Sequence, residues 1–315
     1  MSEFKPEHTS VLLDEVIGFL ELESGSVVID ATLGLGGHTE AILERFDNSL
    51  VIGIDQDERA LDAAGERLQP FGKRFVGVHS NFSEIAVVAT NEGLESVDAI
   101  IADLGVSSMQ LDDPERGFSF RFDAPLDMRM DTTSGRTATE LLEELKEEEI
   151  ANLIYSYGEE RKSRRIARWI VERRENGQPI QTTAELAQLV ERAVGRSSKN
   201  KIHPATRTFQ ALRIAVNDEL GILDRFIADS VDLLKPNGKL CVITFHSLED
   251  RIVKQTFQRL SGRCFCPPRI PSCVCGTVKR VEILTRKPVI PTEAEIKANP
   301  RSRSAKLRVC RKLAK

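Results

Sequence analysis

The first hundred residues alternate short β-branched apolar runs with amphipathic segments of helical length, and this alternation constrains the fold more than any other feature of the chain. The runs lack the polar alternation of half-exposed strands, so they are typical of strands buried on both faces. Helices between such strands are crossover connections, and the sequence therefore predicts a parallel α/β sheet. The predicted strands are Val27–Ile29, Val51–Ile54, Arg74–Val78 and Val97–Ile101, and the predicted helices are 37–46, 58–69 and 83–92.

This pattern stops after Leu104. Residues 105–135 are rich in Asp, Arg, Gly, Pro and Met and show no clear period, whereas residues 137–216 have helical periodicity. We interpret residues 106–215 as an inserted, mainly helical subdomain that recognises the substrate.

Strand signal then returns in the last hundred residues. An amphipathic helix and a turn at Lys235–Gly238 precede a strand at Lys239–Phe245, and two more strands are predicted at Val281–Thr285 and Lys306–Cys310. These elements extend the sheet of the first hundred residues. The predicted discontinuous domain consists of residues 1–105 and 216–315.

Charge is distributed unevenly along the chain. The total is −4, but residues 251–315 contain 17 Lys and Arg against 3 Asp and Glu, a net charge of +14, and the first 250 residues carry −18. The nearly balanced total argues against a protein that coats nucleic acid with its whole surface. A polyanion could still bind the basic end.

Several functional classes are disfavoured by composition. No apolar run approaches the ~18–20 residues of a membrane span, and the polar start MSEFKPEHTS has no apolar segment behind it, so we expect a cytoplasmic protein without a membrane partner. The six cysteines are better explained as cytosolic thiols or metal ligands than as a disulfide framework. Aromatic residues make up only 5% of the chain, which disfavours a single-strand binder built on stacked rings.

A glycine-rich turn follows the first predicted strand. Gly34, Gly36 and Gly37 stand between that strand and the next helix, where backbone N–H groups can approach a ligand closely. A turn can also need glycine only for its positive φ. The turn alone is therefore weak evidence for a ligand.

Polar or aromatic residues follow the next three strands as well. Asp55 comes about 20 residues after the turn, where a carboxylate can accept hydrogen bonds from ribose hydroxyls. Phe82 could lie against an adenine, although a lone Phe after a strand is more often part of a core. Asp103 ends the fourth strand. Four such strand ends in succession favour a nucleoside cofactor.

The glycine spacing helps to choose that cofactor. The dinucleotide pattern G-x-G-x-x-G is not met, because His38, Thr39 and Glu40 follow Gly37. A turn without a pyrophosphate to bind suits S-adenosylmethionine better, and NAD(P) is the alternative. The stretch Leu234–Phe245 also resembles the fifth strand of class I methyltransferases. The predicted fold is therefore a class I, Rossmann-like methyltransferase sheet.

Blocks of sequence along nearly the whole chain resemble one family, the bacterial small-subunit ribosomal RNA cytosine-N4 methyltransferases of the MraW type. Several blocks exceed eight residues, which makes a chance match untenable. The blocks are His8–Leu13, Asp30–His38, Asp103–Asp112, Arg116–Phe120, Pro125–Asp131, His203–Arg213, Thr244–Arg251 and Asn299–Ser304.

The resemblance implies methyl transfer from S-adenosylmethionine to N4 of a cytidine in the decoding region of 16S rRNA, the expected partner, within the small ribosomal subunit. It implies no obligate protein partner. Asp55, Phe82 and Asp103 were also indicated by their positions at strand ends, whereas Gln110 rests on the resemblance alone. The implied cofactor contacts are Gly36, Gly37, His38, Asp55, Phe82, Asp103 and Gln110.

Asp103 is our candidate catalytic residue. The lone pair of cytosine N4 is delocalised into the ring, so an acceptor aimed at the amino protons would localise it and stabilise the charge that develops on nitrogen. Asp103 could instead orient the sulfonium end of the cofactor. The sequence does not separate the two roles.

Two further regions are candidates for contact with the substrate. Polar residues recur at helical spacing opposite an apolar stripe, and their position at the return from the insertion favours RNA contact over a merely solvated face. His246, after the fifth strand, could line the acceptor side, although a histidine there is as often structural. The candidates are His203, Arg207, Gln210, Arg213 and His246.

Two cysteine pairs, Cys264-x-Cys266 and Cys273-x-Cys275, resemble a four-thiolate metal site. Their spacing departs from the commoner C-x-x-C pairs, and a redox-sensitive loop is the alternative. We assign no metal from the sequence.

Two other functions remain to be weighed against the methyltransferase. An NAD(P)-dependent oxidoreductase would need the dinucleotide pattern that is missing here. A non-catalytic RNA-binding assembly factor would not need the glycine turn with Asp55 and Asp103.

Overall fold

The computed structural model describes residues 10–195, 203–267, 272 and 274–314. The chain divides into two compact units, one of Met1–Gly105 with Leu220–Lys315 and one of Val106–Glu219. The second unit extends past residue 215, where we placed the end of the insertion. Asn217 explains the extension, because its side chain donates to the Met128 carbonyl and accepts from the Met130 N–H, both at 2.8 Å.

The helices alternate with strands in the first unit and follow one another in the second. In chain order they are α1 Leu13–Leu20, α2 Gly37–Arg45, α3 Glu58–Leu68, α4 Ile85–Asn91, α5 Ser108–Asp112, α6 Ala138–Glu144, α7 Glu147–Gly158, α8 Ser163–Glu175, α9 Thr183–Val194, α10 Thr206–Asn217, α11 Leu223–Leu233, α12 Ser247–Leu260 and α13 Glu293–Ala298. Short 3₁₀ segments lie at Gln69–Arg74, Phe82–Glu84, Pro114–Arg116 and Pro300–Ser304.

The strands form one sheet in the first unit. Within the described residues it has seven strands in the order β3-β2-β1-β4-β5-β7-β6. The first five are parallel, and β7 runs antiparallel to both β5 and β6. This confirms the predicted class I, Rossmann-like sheet. The strands are β1 Val27–Asp30, β2 Leu50–Asp55, β3 Phe75–His79, β4 Val97–Asp103, β5 Leu234–Thr244, β6 Val281–Ile283 and β7 Lys306–Lys312.

The start of β5 differs from the prediction. We expected a turn at 235–238 before the strand, but pairing with β4 already begins at Leu234. The register jumps from Val97 opposite Leu234 to Ala99 opposite Lys239, and Asn237 has a left-handed φ of 67°. The expected turn is therefore a bulge inside the strand.

Both faces of the sheet are buried, as the apolar runs predict. On one face Ile29 and Ile100 pack with α4, α11 and α12, and on the other Val28 and Ile101 pack with α1 and α2. Neighbouring residues of one strand thus enter opposite cores. Polar side chains are left at the strand ends.

The second unit packs its helices around a separate core. Phe209 and Leu212 of α10 lie in it, as the predicted apolar stripe requires, together with residues of α6 to α9. Gly158 at the end of α7 lies so close to α10 that an added Cβ would be 2.5 Å from the Arg207 carbonyl oxygen. Among the described helices of both units, none combines the length and the apolar character that crossing a membrane requires.

Candidate active site

Three aspartates end three neighbouring strands of the first unit. Asp30 ends β1, Asp55 ends β2 and Asp103 ends β4, and β1 lies between the other two in the sheet. Because the three strands are parallel, their carboxyl ends meet at one edge, where α/β sheets bind ligands. The prediction from sequence included Asp55 and Asp103 but missed Asp30.

Asp55 holds the glycine-rich turn against the end of β2. One carboxylate oxygen accepts from the Gly34 N–H at 2.8 Å and the other from the Asp57 N–H at 2.9 Å. Burial raises the pKa of Asp55 to about 6, against the effect of these two hydrogen bonds. Its carboxylate is therefore fixed before any ligand binds.

The glycines of the turn are required by its geometry. Gly34 and Gly36 have φ of 51° and 75°, in the left-handed region where other residues are strained. Gly37 begins α2, and a Cβ there would lie 2.1 Å from the Ser10 hydroxyl oxygen. At Gly37 the Ser10 side chain occupies the place of a Cβ, whereas at Gly34 the surrounding space is open and the positive φ is the reason for glycine.

His38 is buried, and its ring is turned into the protein. Nε2 lies 3.1 Å from the Val11 carbonyl oxygen, to which it can donate. Burial lowers the pKa of His38 to about 4, so the ring is neutral near pH 7. The side chain thus has a structural role, and a cofactor contact through His38 stays a prediction.

Asp30 is the buried residue of this edge that the sequence reasoning overlooked. Its carboxylate accepts from the Thr39 hydroxyl at 2.8 Å and from the Thr32 N–H at 3.4 Å. Burial raises its pKa to about 6. Its position immediately before the glycine-rich turn was the sequence feature that could have identified it.

Asp103 is partly buried. Its N–H donates to the Thr32 hydroxyl at 2.6 Å, which joins the end of β4 to the turn after β1. Its Oδ1 is buried and has no hydrogen-bond partner in the described structure. Burial, and then the charges of Asp30 and Glu249, hold the pKa of Asp103 well above its ordinary range. A carboxylate in this state is a strong proton acceptor.

Phe82 follows β3 in a 3₁₀ turn and is partly exposed. Its ring meets Phe226 of α11 edge to face, with centroids 5.0 Å apart. One part of the ring therefore belongs to the core, and contact of the rest with an adenine stays a prediction. Beside it, Asn81 donates to the Gln56 side chain at 2.8 Å and links the ends of β3 and β2.

His246 is the N-cap of α12. Its Nδ1 accepts from the Glu249 N–H at 3.4 Å, and the Glu249 carboxylate accepts from the His246 N–H at 3.2 Å. Nε2 lies 3.1 Å from the same carboxylate. The structural role that we weighed for this histidine is present, and a substrate contact stays a prediction.

Gln110 lies in the second unit and is buried. It forms a capping box at the start of α5, where its side chain accepts from the Ser107 N–H at 3.0 Å. This contact orients the residue within its own unit. Its predicted cofactor contact is untested.

The four polar residues of this region that we predicted to contact RNA all make contacts within the second unit. The His203 ring lies 4.7 Å from that of Phe120, and Gln210 donates to the Tyr157 carbonyl at 3.0 Å. Arg213 forms a two-pronged ion pair with Glu219 and is mostly buried.

Arg207 is the most accessible of these four polar residues, and its side chain is 58% exposed. It lies 3.8 Å from the Glu160 carboxylate and donates to the Glu159 carbonyl at 3.3 Å. Both contacts are long, and the exposed Arg207 side chain could exchange them for a phosphate. Of the four residues, Arg207 is therefore the one best placed for RNA.

Comparison with known proteins agrees with this architecture. Residues 5–313 match the model of the MraW methylase family. Relatives named ribosomal RNA small subunit methyltransferase H are 51% identical in Carboxydothermus hydrogenoformans, over 98% of both chains, and 53% identical in Symbiobacterium thermophilum, over 97% of this chain and 96% of the other. A solved rRNA methylase from Streptococcus thermophilus is far more distant, 12% identical over 98% and 99% of the two chains with a TM-score of 0.43. By the family model and the relatives, the chain belongs to the MraW methylase family.

Proposed function

We propose that this protein transfers the methyl group of S-adenosylmethionine to the exocyclic N4 of a cytidine in the decoding region of 16S rRNA, as part of small-subunit maturation. The family supports the reaction class. One observation supports assigning the reaction to this site. The Asp103 carboxylate has a buried Oδ1 that lacks a hydrogen-bond partner in the described structure, and it lies at the edge where the turn and Asp55 also lie.

The residues at this edge suit a cationic cofactor. Asp30 is buried, Asp55 and Asp103 are partly buried, and the charge of Asp30 raises the pKa of the other two. A ligand with a sulfonium and an ammonium group would relieve that repulsion, whereas the pyrophosphate of NAD(P) would add to it. Electrostatics and the missing dinucleotide pattern both favour S-adenosylmethionine.

Individual contacts follow from this placement. Asp55 would accept from the ribose hydroxyls, Phe82 would lie by the adenine, and Gly36 and Gly37 would complete the part of the site that the first unit supplies. His38 would act through its backbone, because its ring is used internally. When bound, the cofactor supplies an electrophilic methyl group on sulfur.

Asp103 would act on the acceptor. Its carboxylate accepts a hydrogen bond from the N4 amino group, which localises the nitrogen lone pair. The methyl group would come from the bound cofactor, and the electron pair of the broken S–C bond would stay on its sulfur. The surplus N4 proton passes to Asp103 and then to water. The raised pKa of Asp103 makes this transfer favourable.

RNA binding would draw on the basic end of the chain. A groove of about 470 Å³ in the first unit is lined by Lys254, Lys279, Arg286 and Arg308, with Glu282 as its acidic residue. Lys254 and Arg286 are exposed. If they contact phosphates, changing either to Gln should weaken RNA binding and lower the slope of log affinity against log salt by about 1.

The function is tested with labelled S-adenosylmethionine and three substrates: immature small subunits, naked 16S rRNA and DNA. We expect label in RNA only, recovered as N4-methylcytidine after digestion to nucleosides. Label on another base or position would reject the proposed acceptor. No label with any substrate, together with retained RNA binding, would favour the assembly factor.

A further inference from the structure

The connection between α12 and β6 is long and runs from residue 261 to residue 280. Its base is closed by a bridge between Ser261 and Lys279 and by the Arg280 N–H, which donates to the Leu260 carbonyl at 2.8 Å. No helix or strand lies in its described part between these points. A long connection whose described part has no helix or strand is usually functional in a compact domain.

Three apolar side chains in the described part of this loop are exposed to solvent. Phe265, Val274 and Val278 are 59%, 75% and 69% exposed. Hydrophobic burial therefore contributes little to the order of the loop. Small segments in this situation are usually held by a cross-link or a metal.

The cysteine side chains of the loop converge. Sulfur atoms of Cys264, Cys266 and Cys275 lie within 4.8 Å of one another. Those of Cys264 and Cys275 are 3.7 Å apart. Tetrahedral zinc with Zn–S bonds of about 2.3 Å places its sulfur ligands about 3.8 Å apart. The observed separation suits two ligands of one ion.

The backbone supports a thiolate at this point. The Val274 N–H donates to the Cys266 sulfur at 3.4 Å. Amide donors to sulfur stabilise the negative charge that a metal-bound thiolate carries, and such outer contacts are typical of built metal sites. Cys273 lies outside the described residues, so the site is argued from the other three cysteines.

We propose that Cys264, Cys266 and Cys275 bind a zinc ion that holds this loop in its folded form. On binding, each thiol releases its proton to solvent and the three thiolates donate to the metal. The ion links positions 264 and 275 and thereby replaces the core that the loop lacks. The site has no part in methyl transfer.

The test is the metal content of the full chain purified without chelator, measured by mass spectrometry of the elements. We expect about one zinc per chain, and less than about a tenth of that after the double change Cys264→Ser and Cys275→Ser. The matched control is Cys241→Ala, a buried cysteine of β5 that should leave the zinc content unchanged.

Cobalt provides a second measurement that does not depend on activity. Replacing zinc with Co²⁺ should give the thiolate charge-transfer bands of a sulfur-ligated ion in the wild type but not in the double variant. Absence of zinc together with absence of these bands in reduced protein would overturn the proposal. A disulfide between Cys264 and Cys275 in metal-free protein would identify the loop as redox-sensitive instead.

Discussion

The backbone N–H of Asp103 donates a 2.6 Å hydrogen bond to the hydroxyl of Thr32, although the two residues are 71 positions apart in the chain. This contact fixes the end of β4 against the turn after β1. The hydroxyl of Thr32 thus holds Asp103, the proposed proton acceptor, in a fixed position relative to the turn that we propose binds the cofactor.

Removing that hydroxyl should slow methyl transfer. In Thr32→Val the Asp103 N–H loses its partner, which costs about 1–3 kcal/mol when the group is buried, and Asp103 loses its fixed position. We expect kcat to fall about tenfold. Thr32→Ser keeps the hydroxyl and should stay within about threefold of the wild type. Equal rates for the two variants would show that the contact does not position Asp103.

Asp30 should make the protein less stable as the pH rises. Its pKa is about 6 in the folded state against an ordinary 3.8, so the folded protein binds the proton more tightly than the unfolded chain does. The resulting contribution to the free energy of unfolding is fully present below pH 3.8 and is lost as the pH rises through 6. The difference corresponds to roughly 3 kcal/mol. Asp30→Asn mimics the protonated form and should therefore be more stable than the wild type at pH 7 by up to that amount.

Unfolding by denaturant at pH 4 and pH 7 checks this prediction. Subtracting the free energy of unfolding of the variant from that of the wild type cancels the contributions of the other titrating groups. One of these is Asp250, whose pKa is lowered by Arg308 and Lys306 despite its partial burial. A stability difference between wild type and variant that is the same at both pH values would contradict the assignment.

Two glycines in helices should respond in opposite ways to alanine. At Gly158 a Cβ would lie 2.5 Å from the Arg207 carbonyl, so Gly158→Ala should destabilise the second unit by about 1–3 kcal/mol. At Gly65 in α3 no heavy atom lies within 4 Å of the added Cβ, and the change should stabilise by about 0.5–1 kcal/mol. Thermal unfolding of both variants checks the signs.

Methyl transfer should have an acidic limb that belongs to Asp103. The ionised carboxylate is the active form and its pKa is well above 3.8, so the rate should fall as the pH drops through that raised value. A profile of single-turnover rates against pH shows this directly. A rate that is flat down to pH 4 would mean that the ionised form is not needed.

The ends of the strands could be predicted because the composition of each apolar run marks where a buried strand stops. Runs such as Val51–Ile54 have the composition of buried strands, and the parallel sheet then brings Asp55 and Asp103 to one edge. The contact of Asp103 with Thr32 has no local signal, because it depends on how separate strands pair. For the same reason the bulge in β5 was mistaken for a turn, since only pairing with β4 reveals it.

The sequence also could not decide the role of residues that can serve either the fold or a ligand. His246 caps α12 and the His38 ring contacts Val11, yet nothing in their neighbours along the chain distinguishes a cap or a core contact from a ligand contact. Arg213 was grouped with Arg207 by spacing alone. The ion pair with Glu219 separates them, because it depends on the chain turning back after α10.

The central claim is that Asp103 accepts the N4 proton, and Asp103→Asn tests it most directly. The asparagine keeps the shape but lacks the basic carboxylate. At saturating S-adenosylmethionine, where a change in cofactor affinity no longer affects the rate, the single-turnover rate on RNA should fall about 10²–10⁴-fold. A variant that methylates N4 at the wild-type rate under these conditions would contradict the account.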